Sequence, residues 1–317
     1  TDQPPVLLPV GALEQHGPHL PLGTDGLLAS AVSADTAARV GGLVAPTLSY
    51  GYKSQPKCGG GQHFCGTTSV DAATLIGQIR DAVREFARHG VDKLVVVNGH
   101  YENQWFLIEG IDLGLRDAKA ADPACALQVM RLEYWDFMTP ETQGEVFPYG
   151  FPGFALEHAA VLETSMMLHY HPSLVRLDLI PDDGPADFPP YDMHPQRPEW
   201  VPPSGVLSSA RGSAGATKPA GGPFFAACAS AAGAAWACAW AAIACMSAGA
   251  AWPPTSPSPT RTSAISTSAA SSRGCARTWC CRRARAPTRW SPSSAARAWS
   301  TPTRARRKTS SSTCAAT

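Results

Sequence analysis

The feature that most constrains the fold of this chain is an abrupt change in its content of acidic residues. All 25 Asp and Glu residues lie within the first 199 positions, and the remaining 118 residues contain none. The first part carries 12 basic side chains against 25 acidic ones, a net charge of −13, whereas the second part carries +14. Because folded domains mix both signs of charge, we expect the globular domain to occupy residues 1–210.

Residues 211–317 consist mainly of Ala, Ser, Thr, Pro, Arg, Gly, Cys and Trp, with neither a helical nor a strand period. These are the amino acids of GC-rich codons. The composition predicts a low-complexity, basic tail that is either disordered or the product of out-of-frame translation.

Two other interpretations of the tail are less favoured. Residues 221–252 carry no charge and are long enough to span a membrane, but they are mostly Ala and Gly, which partition weakly into lipid. The basic residues 304–308 could contact nucleic acid, yet a solvated tail accounts for them as well. We therefore expect neither a membrane nor a nucleic-acid partner.

Residues 1–200 alternate between short apolar runs and amphipathic helical patterns. The runs predict buried strands at residues 6–10, 94–97 and 126–132. Apolar residues at helical spacing predict helices in three segments: 25–40, 75–86 and 106–115. This alternation indicates an α/β fold, a three-layer α/β/α sandwich with a mostly parallel sheet. Functional sites in such sheets lie outside the carboxyl ends of the strands.

Two of the predicted strands are followed by a paired carboxylate and imidazole. Glu14 and His16 follow the first strand, and His100 and Glu102 follow the Val-rich strand. Residues two apart in an extended chain point the same way, so each strand end could present a carboxylate and an imidazole together, which gives four metal ligands. Asp25, in the next loop, could bridge two cations. Histidine and carboxylate ligands without thiolate suit Zn or Mn.

Simpler interpretations of these residues remain open. A histidine or glutamate after a strand is often only a polar loop residue, and Asp25 could be a helix N-cap. The first part holds three cysteines, Cys58, Cys65 and Cys125, without a CxxC pair, and its first residues lack the pattern of a signal peptide. We therefore expect a cytoplasmic protein with free thiols.

Several long motifs resemble the creatininase (creatinine amidohydrolase) family, in particular its creatininase branch. The motifs are LLPVGALEQHGPHLPLGTD, GYKSQPKCGGGQHFCGTTS, VVVNGHYENQWFLIEGIDLGLRD, YWDF, GFPGFALEH, ETSMML, FPPYD and GVLSSA. Together they span nearly all of residues 1–210, and nothing after Ala210 resembles the family. The resemblance implies an α/β/α fold, a homohexamer and two divalent metal ions, Zn and/or Mn.

The resemblance also implies roles for individual residues. By motif position, Glu14 and His100 bind one metal, His16 and Glu102 bind the other, and Asp25 bridges them. His158 matches the catalytic histidine and would protonate the leaving nitrogen, since histidine ordinarily titrates near neutral pH, with Glu102 helping to move the proton. Without the resemblance, His158 would be interpreted as a buried, hydrogen-bonded histidine. The positions implied to contact substrate are Cys58, Tyr101, Trp135, Phe154, Glu157 and His158.

The implied function is that of a binuclear-metal amidohydrolase that opens the cyclic amide of creatinine to give creatine. Three departures from the family pattern concern the substrate: Cys58 replaces a serine, and Phe154 and Ala155 replace a Trp-Asp pair. They favour an alternative, a family amidohydrolase acting on a different small amide, formamide or peptide. A second alternative is an inactive metal-binding protein with a damaged C-terminus.

Overall fold

The computed structural model describes residues 3–136, 138, 140–147, 150–183 and 185–208. The expected tail, residues 211–317, lies outside the described residues. Its interpretation, and the domain boundary near residue 210, therefore stay predictions.

A four-stranded parallel sheet forms the centre of the described fold. Its strands are β1 (Val6–Val10), β2 (Leu43–Val44), β3 (Lys93–Asn98) and β4 (Gln128–Glu133). They lie in the order β2-β1-β3-β4, and all three pairings are parallel. The central strands β1 and β3 are buried on both faces, which explains why their sequences are continuous apolar runs rather than alternating ones.

The helices of the described fold are α1 (Thr24–Val40), α2 (Pro56–Gly59), α3 (Ala72–Arg88), α4 (Gln104–Ala121), α5 (Pro140–Val146) and α6 (Val161–Tyr170). The segments predicted from periodicity, 25–40, 75–86 and 106–115, fall within α1, α3 and α4, whereas α2, α5 and α6 were not predicted. Single 3-10 turns occupy Tyr101–Asn103, Pro172–Leu174, Leu177–Leu179 and Pro198–Trp200. Within the described ranges, no helix combines the length and apolarity required to cross a bilayer.

Successive side chains of the central strands point to opposite faces and build two separate cores. Leu7 and Val95 pack with α1 and α6 on one face. Leu8, Leu94 and Val96 pack with α3 and α4 on the other. The three-layer α/β/α arrangement predicted from the sequence is therefore confirmed.

Helices α3 and α4 pack closely because two glycines of α4 face α3. A Cβ atom at Gly110 would lie 2.7 Å from the Cβ of Ile79, and one at Gly114 would lie 2.7 Å from the Cβ of Val83. Ile79 and Val83 are fully buried. The pair of glycines thus sets the distance between the two helices that cover one face of the sheet.

This close approach predicts opposite effects for the same substitution at two glycines. Gly114→Ala should lower the free energy of unfolding by about 1–3 kcal/mol, because the new methyl group overpacks the helix contact. Gly77→Ala, in α3, should raise it by about 0.5–1 kcal/mol, since nothing lies within 4 Å of that position and alanine favours helix. Urea denaturation followed by circular dichroism measures both. Equal effects at the two positions would contradict this packing.

Candidate active site

The candidate active site lies at the carboxyl edge of the sheet, where β1 and β3 end. The segment after β1 carries Glu14 and His16, and the segment after β3 carries His100. Helix α1 begins beside both segments and brings Asp25 between them. A Cβ atom at Gly99 would lie 3.1 Å from the carbonyl carbon of Asp25, so the absence of a side chain lets α1 approach β3 this closely.

Asp25 is the centre of the polar cluster. Its Oδ1 lies 3.0 Å from His16 Nε2, and its Oδ2 lies 3.0 Å from His100 Nδ1. His100 Nδ1 also lies 3.3 Å from Glu14 Oε2. Helix α1 has Gly23 as its N-cap, so the alternative that Asp25 caps the helix is wrong. Each oxygen of Asp25 faces a different imidazole, which is the arrangement that a bridging carboxylate requires.

Glu163, on α6, joins this cluster and was not identified from the sequence. Its Oε1 lies 3.5 Å from His16 Nε2, and its Oε2 accepts a hydrogen bond from the backbone N–H of Ala159 at 2.6 Å. His16, Asp25 and Glu163 offer three ligand atoms within 4.8 Å of one another, and so do Glu14, Asp25 and His100. The available signal was an acidic residue in a helix whose neighbours are apolar and buried.

Glu102 does not lie beside His16, with which it was expected to bind the second metal. Its Oε1 accepts a hydrogen bond from the backbone N–H of Gln55 at 2.8 Å, and its Oε2 lies 3.5 Å from His100 Nε2. Strand β3 ends at Asn98 and Tyr101–Asn103 form a 3-10 turn, which places Glu102 beside His100 rather than beside His16. Glu163 occupies the place beside His16 instead.

The buried atoms of this cluster fit a pair of divalent cations. Four atoms of the cluster make no well-aligned hydrogen bond: Glu14 Oε1, His16 Nε2, Asp25 Oδ2 and Glu102 Oε2. His16 Nε2 and Asp25 Oδ2 have only the ion-pair contacts given above. All four residues are at most 9% exposed. Burying several carboxylates together is costly unless positive charge compensates them. Nitrogen and oxygen donors without thiolate are the ligand set that Zn and Mn accept.

The pKa values of the clustered side chains also indicate that the cluster favours positive charge. Burial by itself lowers the pKa of His16, but the attraction of Glu163 and Asp25 outweighs burial and leaves the pKa well above its usual value. Burial by itself raises the pKa of Asp25, but His16 and His100 lower it below its usual value. The cluster thus attracts positive charge to the same places where cations would bind.

His158 faces the cluster from the segment before α6. Its Nε2 lies 2.8 Å from the backbone carbonyl oxygen of Gln15, and donating to that oxygen leaves Nδ1 as an acceptor, 3.8 Å from Glu14 Oε2. Burial and the neighbouring charge of His16 lower the pKa of His158 to about 4. The expectation of a pKa near neutrality, taken from free histidine, is therefore wrong for this environment.

The turn after His158 is held in an unusual backbone conformation. Ala159 has φ = 53°, in the left-handed region that residues other than glycine seldom adopt. The carboxylate of Glu163 accepts from the backbone N–H of Ala159, and that of Glu157 accepts from the N–H of Leu162 at 2.6 Å. Both bonds fix the start of α6, so the two glutamates orient His158 as well as lining the site.

A small chamber beside the cluster is lined by all six residues that the resemblance implied to contact substrate, whereas Ala155 is not among its lining residues. Its lining comprises Cys58, Tyr101, Trp135, Phe154, Glu157 and His158, together with Glu14, Asp25, Gly99, His100, Tyr134, Leu162 and Glu163. The rings of Tyr101 and Trp135 have centroids 6.3 Å apart and planes 19° apart, and Phe154 lies 6.4 Å from Tyr101. The chamber therefore combines a polar floor with an aromatic rim.

Cys58 occupies a constrained position in the chamber. Its φ of 75° is left-handed, and its backbone N–H donates to the carbonyl oxygen of Ala155 at 3.1 Å. Burial, reinforced by Glu102 and Glu14, raises the pKa of its thiol above the usual value. The thiol therefore stays protonated and is not a nucleophile at neutral pH.

Comparison with known proteins places the chain in a family. The family model described as "Creatininase: Creatinine amidohydrolase" matches residues 1–235, past residue 210 where the recognisable motifs end. The chain belongs to the creatininase family. It is thus a hydrolase of the creatininase type, as the motifs indicated, and divalent-metal use is consistent with its clustered ligands.

Individual relatives agree with this assignment. Creatinine amidohydrolase from Pseudomonas putida is 52% identical over 207 residues, which cover 65% of this chain and 79% of the relative. A variant creatininase in complex with creatine is 47% identical, with a TM-score of 0.67 over 75% of this chain and 92% of its own. A variant creatininase of the Zn–Zn type is 48% identical, with a TM-score of 0.66 over 73% and 89% of the two chains.

The position of Glu163 leads to a prediction about metal content. Glu163→Gln removes a negative charge beside His16 with little change in size, so the purified protein should hold about one metal ion per chain fewer than the unaltered protein. Elemental analysis after dialysis measures the content. Glu109→Gln, at an exposed position of α4, is the matched control and should change nothing. Loss of metal from Glu102→Gln but not from Glu163→Gln would restore the assignment made from the sequence.

Proposed function

We propose that this chain is a two-metal amidohydrolase that hydrolyses the cyclic amide of creatinine to creatine. The observation that carries the proposal is the pair of ligand groups that share Asp25 beside a chamber with an aromatic rim. Glu14, Asp25 and His100 would hold one cation, and His16, Asp25 and Glu163 the other. Two cations bound there, Zn and/or Mn, would supply an activated water molecule and polarise the amide carbonyl group.

The residues of the chain itself would hold the substrate and move the proton. Cleavage of the ring C–N bond leaves a nitrogen that needs a proton. His158 presents Nδ1 to the chamber while its Nε2 is anchored on the carbonyl oxygen of Gln15, so Nδ1 is the atom that would take and deliver this proton. Glu102, whose Oε2 has no hydrogen-bond partner, lies beside His100 and would assist the transfer.

The rim suits a small, flat substrate. Creatinine is a conjugated ring, and the rings of Tyr101, Trp135 and Phe154 offer stacking faces around the chamber. Glu157 and the protonated thiol of Cys58 complete the polar lining. We also propose a cytoplasmic homo-oligomer, a hexamer by family membership; this assembly is a proposal and no step of the chemistry depends on it.

A second candidate is hydrolysis of a different small amide, formamide or peptide by the same metal site. The observation that favours it is the exchange of the substrate-facing residues, with Cys58, Phe154 and Ala155 in place of Ser and Trp-Asp. These exchanges leave the ligand cluster intact. An inactive metal-binding protein is a further alternative, and turnover of any amide would exclude it.

Removal of metal tests the proposed chemistry. Dialysis against a chelator should lower creatinine hydrolysis more than about a hundredfold, because the cations contribute several kcal/mol of transition-state stabilisation. Added Zn²⁺ or Mn²⁺ should restore the activity, and Mg²⁺, which prefers carboxylate and water ligands, serves as the control. Full activity in metal-free protein would exclude the two-metal mechanism.

Substitutions at the rim test the choice of substrate. Phe154→Trp combined with Ala155→Asp should raise kcat/KM for creatinine by about ten- to a hundredfold, since a hydrogen bond to a charged group contributes about 1.5–3 kcal/mol. Phe154→Trp with Ala155→Asn is the matched control, which keeps the size of the side chain and removes its charge. If the Asp variant shows no gain and the unaltered chain is fast on another amide, the second candidate function replaces the first.

A further inference from the structure

A second, larger cavity adjoins the reaction chamber, and the chemistry proposed above leaves it without an occupant. Its volume is about 510 Å³, against about 30 Å³ for the chamber. It lies between the segment around α2, the start of α4 and the segment 188–200. Its lining comprises Tyr52, Gln55, Pro56, Lys57, Cys58, Tyr101, Glu102, Trp105, Phe106, Phe188, Tyr191, Asp192, Met193, His194, Gln196, Arg197 and Trp200.

The outer cavity is rich in aromatic side chains, several of which are open to solvent. Trp105 is 71% exposed and Tyr191 is 62% exposed, although both are large apolar rings. Ligand pockets are typically lined by aromatic groups with a few fixed polar groups. Exposed aromatic rings around a concave surface therefore mark this cavity as a place where an apolar group can bind.

Polar contacts hold the two sides of the outer cavity together. Lys57 Nζ lies 3.1 Å from Asp192 Oδ1 and donates to the backbone carbonyl oxygen of Tyr191 at 3.1 Å. Gln196 Nε2 donates to Gln55 Oε1 at 2.8 Å. These bonds connect the segment 188–200 to the segment around α2, so the cavity is a defined part of the fold.

The outer cavity shares part of its wall with the reaction chamber, because Cys58 and Tyr101 line both. Glu102 lines the outer cavity, and its Oε2 lies 3.5 Å from Nε2 of His100, which lines the chamber. The glycine after Cys58 permits a close approach here: a Cβ atom at Gly59 would lie 2.7 Å from Glu102 Oε1. The occupant that fits this adjacency is the remainder of a substrate whose amide lies in the chamber.

We propose that the outer cavity binds an apolar, aromatic substituent of the substrate, so that the enzyme accepts cyclic amides larger than creatinine. This inference rests on the proposed amidohydrolase function of the adjoining chamber. The reaction is unchanged: water adds to the ring carbonyl group, the C–N bond breaks, and the released nitrogen takes a proton. A substituent that passes Cys58 and Tyr101 would meet Trp105 and Trp200 in the outer cavity.

A matched pair of substrates tests the proposal. The holoenzyme is given creatinine or its homologue in which a benzyl group replaces the N-methyl group, with product formation followed by NMR and binding by calorimetry. The reacting amide is the same in both compounds, so the ratio of their kcat/KM values reports only on the substituent. We expect the benzyl homologue to be favoured by at least about tenfold, the gain typical of filling an apolar pocket.

Two variants locate the effect. Trp105→Ala should lower the ratio of benzyl homologue to creatinine by about tenfold or more, and the high exposure of Trp105 means that its removal disturbs little of the core. Tyr50→Ala is the control, because Tyr50 is an exposed aromatic residue, 51% accessible, that lines neither cavity, and it should leave the ratio unchanged.

The outcomes separate this inference from the proposed function. The inference is overturned if the benzyl homologue binds no better than creatinine and Trp105→Ala leaves the ratios of affinity and kcat/KM unchanged. A second copy of the chain that covers the cavity would give this same result. If neither compound is hydrolysed but the benzyl homologue binds more tightly in a Trp105-dependent way, the subsite stands and the proposed hydrolysis fails. If only creatinine is hydrolysed and the benzyl homologue does not bind, the subsite fails alone.

Discussion

The burial of Asp25 between two imidazoles is the constraint on which the rest of the site depends. Its two oxygens face His16 and His100 at 3.0 Å each, and further carboxylates surround them. So much buried charge is stable only if cations or protons balance it. The fold accommodates this cluster by bringing the start of α1 against the end of β3, where Gly99 leaves room. Function and local backbone geometry are therefore set by the same contact.

The sequence predicted the scaffold well because burial on both faces of a parallel sheet leaves a strong signal. The continuous apolar runs at β1 and β3 and the helical stripe of α3 match the structure. The site residues that follow these two strands, Glu14, His16 and His100, could also be predicted from the sequence. Glu163 was not predicted, because its partner His16 is 147 positions away and the local signal, an acidic residue in a buried helix, does not identify a metal ligand. The expected pairing of His16 with Glu102 came from motif position, and the structure places Glu102 beside His100 instead.

The expected metal ligands and the expected substrate-facing residues differ in how well they agree with the family pattern. By motif resemblance, the ligands expected from the sequence follow the family pattern, whereas Cys58, Phe154 and Ala155 depart from it. Cys58 also lies where the chamber meets the outer aromatic cavity. Two of these three positions, Cys58 and Phe154, line the chamber, and the charged cluster lies beside it. A metal site supplies the hydrolytic chemistry while the surrounding surface selects the amide, so the two properties can be tested separately.

Anomalous diffraction from crystals of the metal-loaded protein, collected at the Zn and Mn absorption edges, would locate the bound cations. We expect two peaks, one in contact with Glu14, Asp25 and His100 and the other in contact with His16, Asp25 and Glu163. Asp25 should contact both. A single peak, or a second peak bound by Glu102 in place of Glu163, would rule out a metal pair held by these residues.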